Sequence, residues 1–219
     1  MKRTALILMC MCTAASYGVV IYDNPAGGTI WAWNWGDNGM GHTAAEVNYG
    51  GNIVIQHTGV VNNTTGGNVN YRYGSKWDIT VSGNSSADPA DYTIAFDLRN
   101  VSGSWDPIPL NLAVLTKESG GDQGHGYATM NVAQAAGWVH YEFNLANWAN
   151  NWWQGAAWNL TNPSWSLEVG MPWPGISTPT GTSFTQIWEM DNLKITMIPE
   201  PASLILLGLG ALSVVKKRN

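Results

Sequence analysis

The sequence predicts an all-β protein: a two-sheet antiparallel jelly-roll sandwich, flanked by an N-terminal signal helix and a C-terminal apolar helix. Three observations carry this expectation. Helical periodicity is almost missing from the middle of the chain, where short β-branched and aromatic runs recur between Gly, Asn, Pro and Asp clusters. Asp91–Asn100 and Trp138–Leu145 alternate with the period of two that half-buried strands show. Each end of the chain carries an apolar run beside basic residues, outside the alternating region.

Lys2 and Arg3 precede an apolar run that reaches Ala15, and Ser16-Tyr17-Gly18 supplies small residues for cleavage after Gly18. That order is a secretory signal peptide, and its apolar run is too short for the ~20 residues a membrane span needs. A lipid-modified cysteine is rejected, because Met9 and Met11 precede Cys10 and Cys12 where a small residue is required. Both cysteines fall in this segment, so the mature chain has no disulfide and no cysteine ligand, and its core must hold by burial. The chain divides into a signal peptide at 1–18, one β-sandwich domain at 19–198, and a sorting segment at 199–219.

Candidate strands within the domain are Val19–Tyr22, Thr29–Trp35, Ala44–Val47, Ile53–His57, Asn68–Tyr73, Trp77–Val81, Tyr92–Arg99, Leu110–Thr116, Tyr127–Val132, Val139–Leu145, Ser164–Val169 and Ile187–Met197. Turns fall at Ala26-Gly27-Gly28, Asn62–Gly67, Ser82-Gly83-Asn84 and Ser119–Asp122, and Asp122–Gly126 reads as a polar turn. One short helix is expected over Leu145–Trp153, where Trp148 and Trp152 stand four apart. Many short strands in one acidic, cysteine-free domain give the sandwich.

About 180 residues suffice for one domain with a sizeable core. Between the terminal segments the basic residues are Arg72, Lys76, Arg99, Lys117 and Lys194, against fourteen carboxylates. Phosphate binding needs a basic face, so nucleic acid is excluded as a partner. The 13 tryptophans argue against disorder despite abundant Gly and Asn.

Tryptophan is also the main signal for binding, because sugar rings offer apolar C–H faces that stack on aromatic rings. Trp148, Trp152, Trp153 and Trp158 are interleaved with Asn147, Asn150, Asn151, Gln154 and Asn159, which reads as an exposed platform or as core. Trp31, Trp33 and Trp35 project from one side of their strand, about 6.7 Å apart, and are expected in the core. Trp77, Trp138, Trp165 and Trp188 lie within strands and are also expected there.

At the far end, Pro199-Glu200-Pro201 stops the last strand, an uncharged apolar run extends from Ala202 to Val215, and Lys216-Lys217-Arg218 follows. The basic cluster suits the cytoplasmic side of a membrane. This order resembles the PEP-CTERM sorting signal of bacterial exported proteins. The resemblance implies recognition at Pro199–Pro201 by an exosortase, transient membrane attachment through the C-terminal helix, and delivery to the cell surface or matrix. A simple C-terminal anchor is the alternative.

Trp188–Ile195, an aromatic-led strand ending in Asp191-Asn192-Leu193-Lys194-Ile195, resembles the last strand of galactose-binding-like and carbohydrate-binding-module jelly rolls. That resemblance implies extracellular polysaccharide as the partner and no catalysis. It also implies a structural calcium at Asp191, with Asp23 or Glu46 as partners, although calcium wants about six to eight oxygens. A catalytic reading is available too. Glu189-Met190-Asp191 is similar to the start of the Glu-x-Asp-x-x-Glu signature of laminarinase-type hydrolases, but Lys194 stands at the third acidic place. Such enzymes need two carboxylates roughly 5–10 Å apart, for which Glu142 or Glu168 would have to face Glu189 or Asp191. His42, His57, His125 and His140 show no metal-ligand spacing, and no Gly-x-Ser-x-Gly elbow occurs. Three functions follow: a carbohydrate-binding module, an adhesive matrix protein without a small ligand, or a sandwich hydrolase.

Overall fold

The alternating segments form strands of two antiparallel sheets whose apolar faces meet. The structure is a computed structural model describing residues 18–23, 30–35, 41–64, 66–118, 121–150, 159–172 and 175–198. Residues 1–17, where a signal peptide is expected, residues 199–219, and Asn151, Trp152, Trp153, Gln154 and Trp158 lie outside the described residues, so the flanking helices expected from the sequence are not among them. Among the described residues no helix is long and apolar enough to cross a membrane.

The strands are β1 (Val19–Asp23), β2 (Ile30–Trp35), β3 (Gly41–Tyr49), β4 (Asn52–Asn62), β5 (Val69–Thr80), β6 (Tyr92–Ser102), β7 (Ile108–Glu118), β8 (Gly121–Val132), β9 (Val139–Asn144), β10 (Ala149–Asn150), β11 (Ser164–Gly170), β12 (Ile176–Thr178) and β13 (Ser183–Met197). The first sheet runs β3-β4-β13-β6-β9, with β1 also paired to β13. The second runs β10-β8-β7-β11-β5-β12, with β2 also on β5. β13 organises the first sheet: Ser183–Met190 pairs with β4, Lys194–Met197 with β1, and Ile187–Met197 with β6 across a bulge.

Burial follows the period of two. Tyr92, Ile94, Phe96 and Leu98 of β6 are fully buried and face Ile108, Leu110, Leu112 and Val114 of β7 and Trp165, Leu167 and Val169 of β11 in one core. Trp165 packs on Tyr92 at 5.5 Å between ring centroids, and its indole N–H donates to the Asn162 carbonyl at 2.6 Å. Trp165 and Trp188 are both 0 % exposed, as expected of strand tryptophans. A polar latch crosses the core edge: the Gln186 amide donates to Asn100 at 2.7 Å and accepts from the Trp105 backbone at 3.0 Å. Gly103, at φ 127°, passes so close to Gln186 that a Cβ would fall 2.0 Å from its oxygen. Only glycine meets both conditions.

Four expectations are corrected. The helix expected over Leu145–Trp153 is a 3-10 turn at Leu145–Asn147, where Asn144 accepts from the Ala146 N–H at 2.9 Å, followed by β10. Asn144 opens this single turn; it ends at Trp148, whose extended backbone leads into the pairing of Ala149 with Tyr127 of β8. The polar turn expected at Asp122–Gly126 opens β8 instead, since eleven register pairs hold it against β7. Trp148 is core, 4 % exposed, and meets the Phe143 ring edge-on at 6.3 Å, so it cannot serve an exposed platform. Trp138 goes the other way: expected inside, it is 39 % exposed. The side chains of Trp31, Trp33, Trp35 and Trp77 lie outside what is described.

Candidate functional site

The site is built on the outer face of the first sheet, by residues one step out of phase with the core. On β6, Arg99, Asp97, Ala95 and Thr93 alternate with the buried set. Register then places Glu189 opposite Arg99, Gln56 opposite Glu189, Asp191 opposite Asp97, and His140 and Glu142 of β9 opposite Asp97 and Ala95. Tyr49, at the end of β3, faces Asn52 and reaches over β4.

Glu189 anchors this face. Its side chain is fully covered; one oxygen accepts from Tyr49 at 2.7 Å and Gln56 at 2.7 Å, and the other pairs with Arg99. Burial would raise its pKa, but the hydrogen bonds from Arg99, Gln56 and Tyr49 and the Arg99 charge hold it below the usual carboxylate range. The Tyr49 hydroxyl is pushed up in turn, through its hydrogen bond to Glu189, burial and the Glu189 charge.

Arg99 lies between two exposed aromatic rings. Its guanidinium carbon is 4.6 Å from the Trp138 centroid and 5.4 Å from the Tyr49 centroid, within cation–π range. Tyr49 is 47 % and Trp138 39 % exposed, so each ring retains surface for a ligand. Below them a polar row continues. Asp191 accepts from the Asn52 amide at 2.9 Å and the Asn192 backbone at 2.7 Å; the Asn192 side chain donates to Asp97 at 2.6 Å; Asp97 meets His140 Nδ1 at 2.6 Å. Asn192 adopts φ 54° within a bulge of β13, and so directs both its donors toward these carboxylates.

Of the sequence-derived candidates, the structure brings Asp191, Glu189 and Glu142 onto this face. Asp23, exposed on β1, lies opposite Lys194, and Glu46 lies opposite Ile55 on β3. Among the described residues no group of three or more His, Cys, Asp or Glu side chains could hold a metal ion. The donors on Asp191 are amide N–H groups, which a cation shell does not present. For the hydrolase reading, Glu168 is on the outer face of the opposite sheet, beside Arg72 at 3.9 Å, and so cannot face Glu189. Glu189 itself is held ionised and covered, unsuited to proton donation. Tyr49, Arg99 and Trp138 were missed as a set because they come from two separate strands and the bend before a third.

With the geometry in place, comparisons locate the chain. No curated protein sequence matches it. Among solved structures, the family 11 carbohydrate-binding module of a cellulosomal cellulase of Clostridium thermocellum superposes with a TM-score of 0.50 at 11 % identity, over 85 % of this chain and 97 % of that one. The family 11 module from Clostridium thermocellum in complex with a β-1,3-1,4-mixed-linked tetrasaccharide gives 0.52 at 11 %, over 83 % and 97 %. At such identities the likeness is one of fold. Residues 198–218 match the model of the PEP-CTERM protein-sorting motif. The chain therefore joins an all-β sandwich resembling carbohydrate-binding jelly rolls to a PEP-CTERM sorting motif that begins one residue after its last strand.

Proposed function

We propose that the protein is an exported, exosortase-processed surface or matrix protein that binds extracellular polysaccharide, without catalysis, on the outer face of the first sheet. The observation that carries this is the pair of exposed rings, Tyr49 and Trp138, on either side of a fixed Arg99. Sugar rings stack on the aromatic faces, while Arg99, Gln56, Asn52 and the carboxylates supply the hydrogen bonds that orient them. The pre-bonded network around Glu189 holds these groups in place before the ligand arrives, which lowers the ordering cost of binding.

Affinity electrophoresis and a glycan array test the reading. Retention by at least one polysaccharide is expected, with Trp138→Ala weakening it tenfold or more, from the loss of about 1.5–3 kcal/mol of aromatic burial. No retention by any glycan, or Trp138→Ala and Tyr49→Ala binding like the wild type, would refute it and leave the adhesive reading. Trp152→Ala and Trp153→Ala in the same assay test the second aromatic set.

A further inference from the structure

Building on that binding reading, we propose that Arg99 determines the specificity of this face and that the face selects uncharged glycans over uronate-bearing ones. Arg99 is held on three sides, by Glu189 at Nε and by the Trp138 and Tyr49 rings, while its side chain stays 30 % exposed. Beyond Nε, its terminal amino groups form a planar fork of N–H donors beside the Tyr49 hydroxyl, with which Arg99 also interacts. Two neighbouring hydroxyls of one sugar ring accept from such a fork while adjoining rings stack on Trp138 and Tyr49. A carboxylate fits the same fork equally well, so the surrounding charge decides between them.

That charge is unfavourable to anions. Glu189 already neutralises Arg99 through a direct pair. On the same face stand Asp191, Asp97 and Glu142, against Lys194 opposite Ala95. Asp97 and Asp191 are direct cross-strand partners, a juxtaposition of like charges that costs stability and that Asn192 bridges. A uronate carboxylate docked on Arg99 would enter this field within the ~8 Å over which charges act at physiological salt. An uncharged hydroxyl pair meets no such opposition.

The experiment uses oligosaccharide pairs identical except at C6, hydroxymethyl in one and carboxylate in the other, with binding measured by calorimetry at low and physiological salt. The wild type should bind the neutral member at least tenfold more tightly, and the gap should narrow as salt rises. Asp97→Asn and Glu189→Gln should each raise the uronate-to-neutral affinity ratio several-fold, with melting curves checking the buried Glu189 variant. Arg99→Lys, which keeps the charge and loses the fork, should weaken binding of the neutral member. Equal or tighter uronate binding by the wild type overturns the proposal, as does a ratio unchanged in both carboxylate variants or an Arg99→Lys protein that binds like the wild type. Retention of neither member of any pair would instead sink the polysaccharide reading on which it rests.

Discussion

Two buried titratable residues, His57 and Glu189, respond to acid for different reasons. His57 is fully buried, stacked flat on Trp188 at 3.6 Å, with Nε2 on the Ser75 hydroxyl at 2.6 Å and Nδ1 unpartnered among the described residues. Burial, then the nearby His42, lowers its pKa well below the ordinary value, so the fold favours the neutral ring. Its contribution is complete above the unfolded value of ~6.5 and is lost as pH falls below it. The Glu189 pKa is lowered as well, so its contribution holds above the unfolded value of ~4.3 and fades below that. The melting temperature should therefore fall in two stages on acidification, each group contributing at most about 1.4 kcal/mol per pH unit. Thermal melts across pH will show the first stage reduced in His57→Gln; an unchanged profile would contradict this account. Trp148 gives a second residue-level test. Trp148→Ala should cost about 3–5 kcal/mol, whereas Trp148→Phe should cost less, because the indole N–H it removes has no hydrogen-bond partner among the described residues.

At the scale of strands, phase decides which residues are core and which are site. Trp138, His140 and Glu142 share one side of their alternation, and Val139, Tyr141 and Phe143 share the other. The apolar set wins the core, so Trp138 is carried outward with its charged companions. That phase was legible in the sequence, and reading Trp138 by residue type alone obscured it. The same logic made β6 readable from Asp91 to Arg99 and assigned Arg99 to the polar side. What could not be read is pairing. Nothing local says that β3, β13, β6 and β9 bring Tyr49, Glu189, Arg99 and Trp138 together, because those contacts span up to 140 residues. The short turn after Leu145 was equally hidden, since helical spacing of Trp148 and Trp152 yields to the pairing of β10 with β8. Gly103→Ala tests the latch between β6 and β13. The added Cβ collides with Gln186, so a loss of roughly 1–3 kcal/mol in denaturant unfolding is expected, with binding retained while the protein is folded.

For the whole molecule, the sorting motif and the sandwich are adjacent but separable. Ile198 is the last described residue, and its N–H donates to the Asp91 carbonyl at 2.8 Å, which closes the domain before the motif's prolines. A chain ending at Ile198 should melt within about 2 °C of the chain carrying the tail, a shift worth under ~1 kcal/mol for a domain of this size. In an exporting host that chain should lose its surface retention. Retention equal to the full chain would argue against the tail as the sorting handle.

β13 lends the architecture an order in time. It is the last strand made, and β4, β1 and β6 depend on it for their place in the first sheet. Until Ser183–Met197 is in place, nothing joins the β3–β4 pair that carries Tyr49 to the β6 strand that carries Arg99. Non-local pairing of this kind is slow to form, so the outer face is among the last features to assemble. The segment that completes the fold is also the one that delivers the sorting motif, and a chain truncated before Ser183 lacks both.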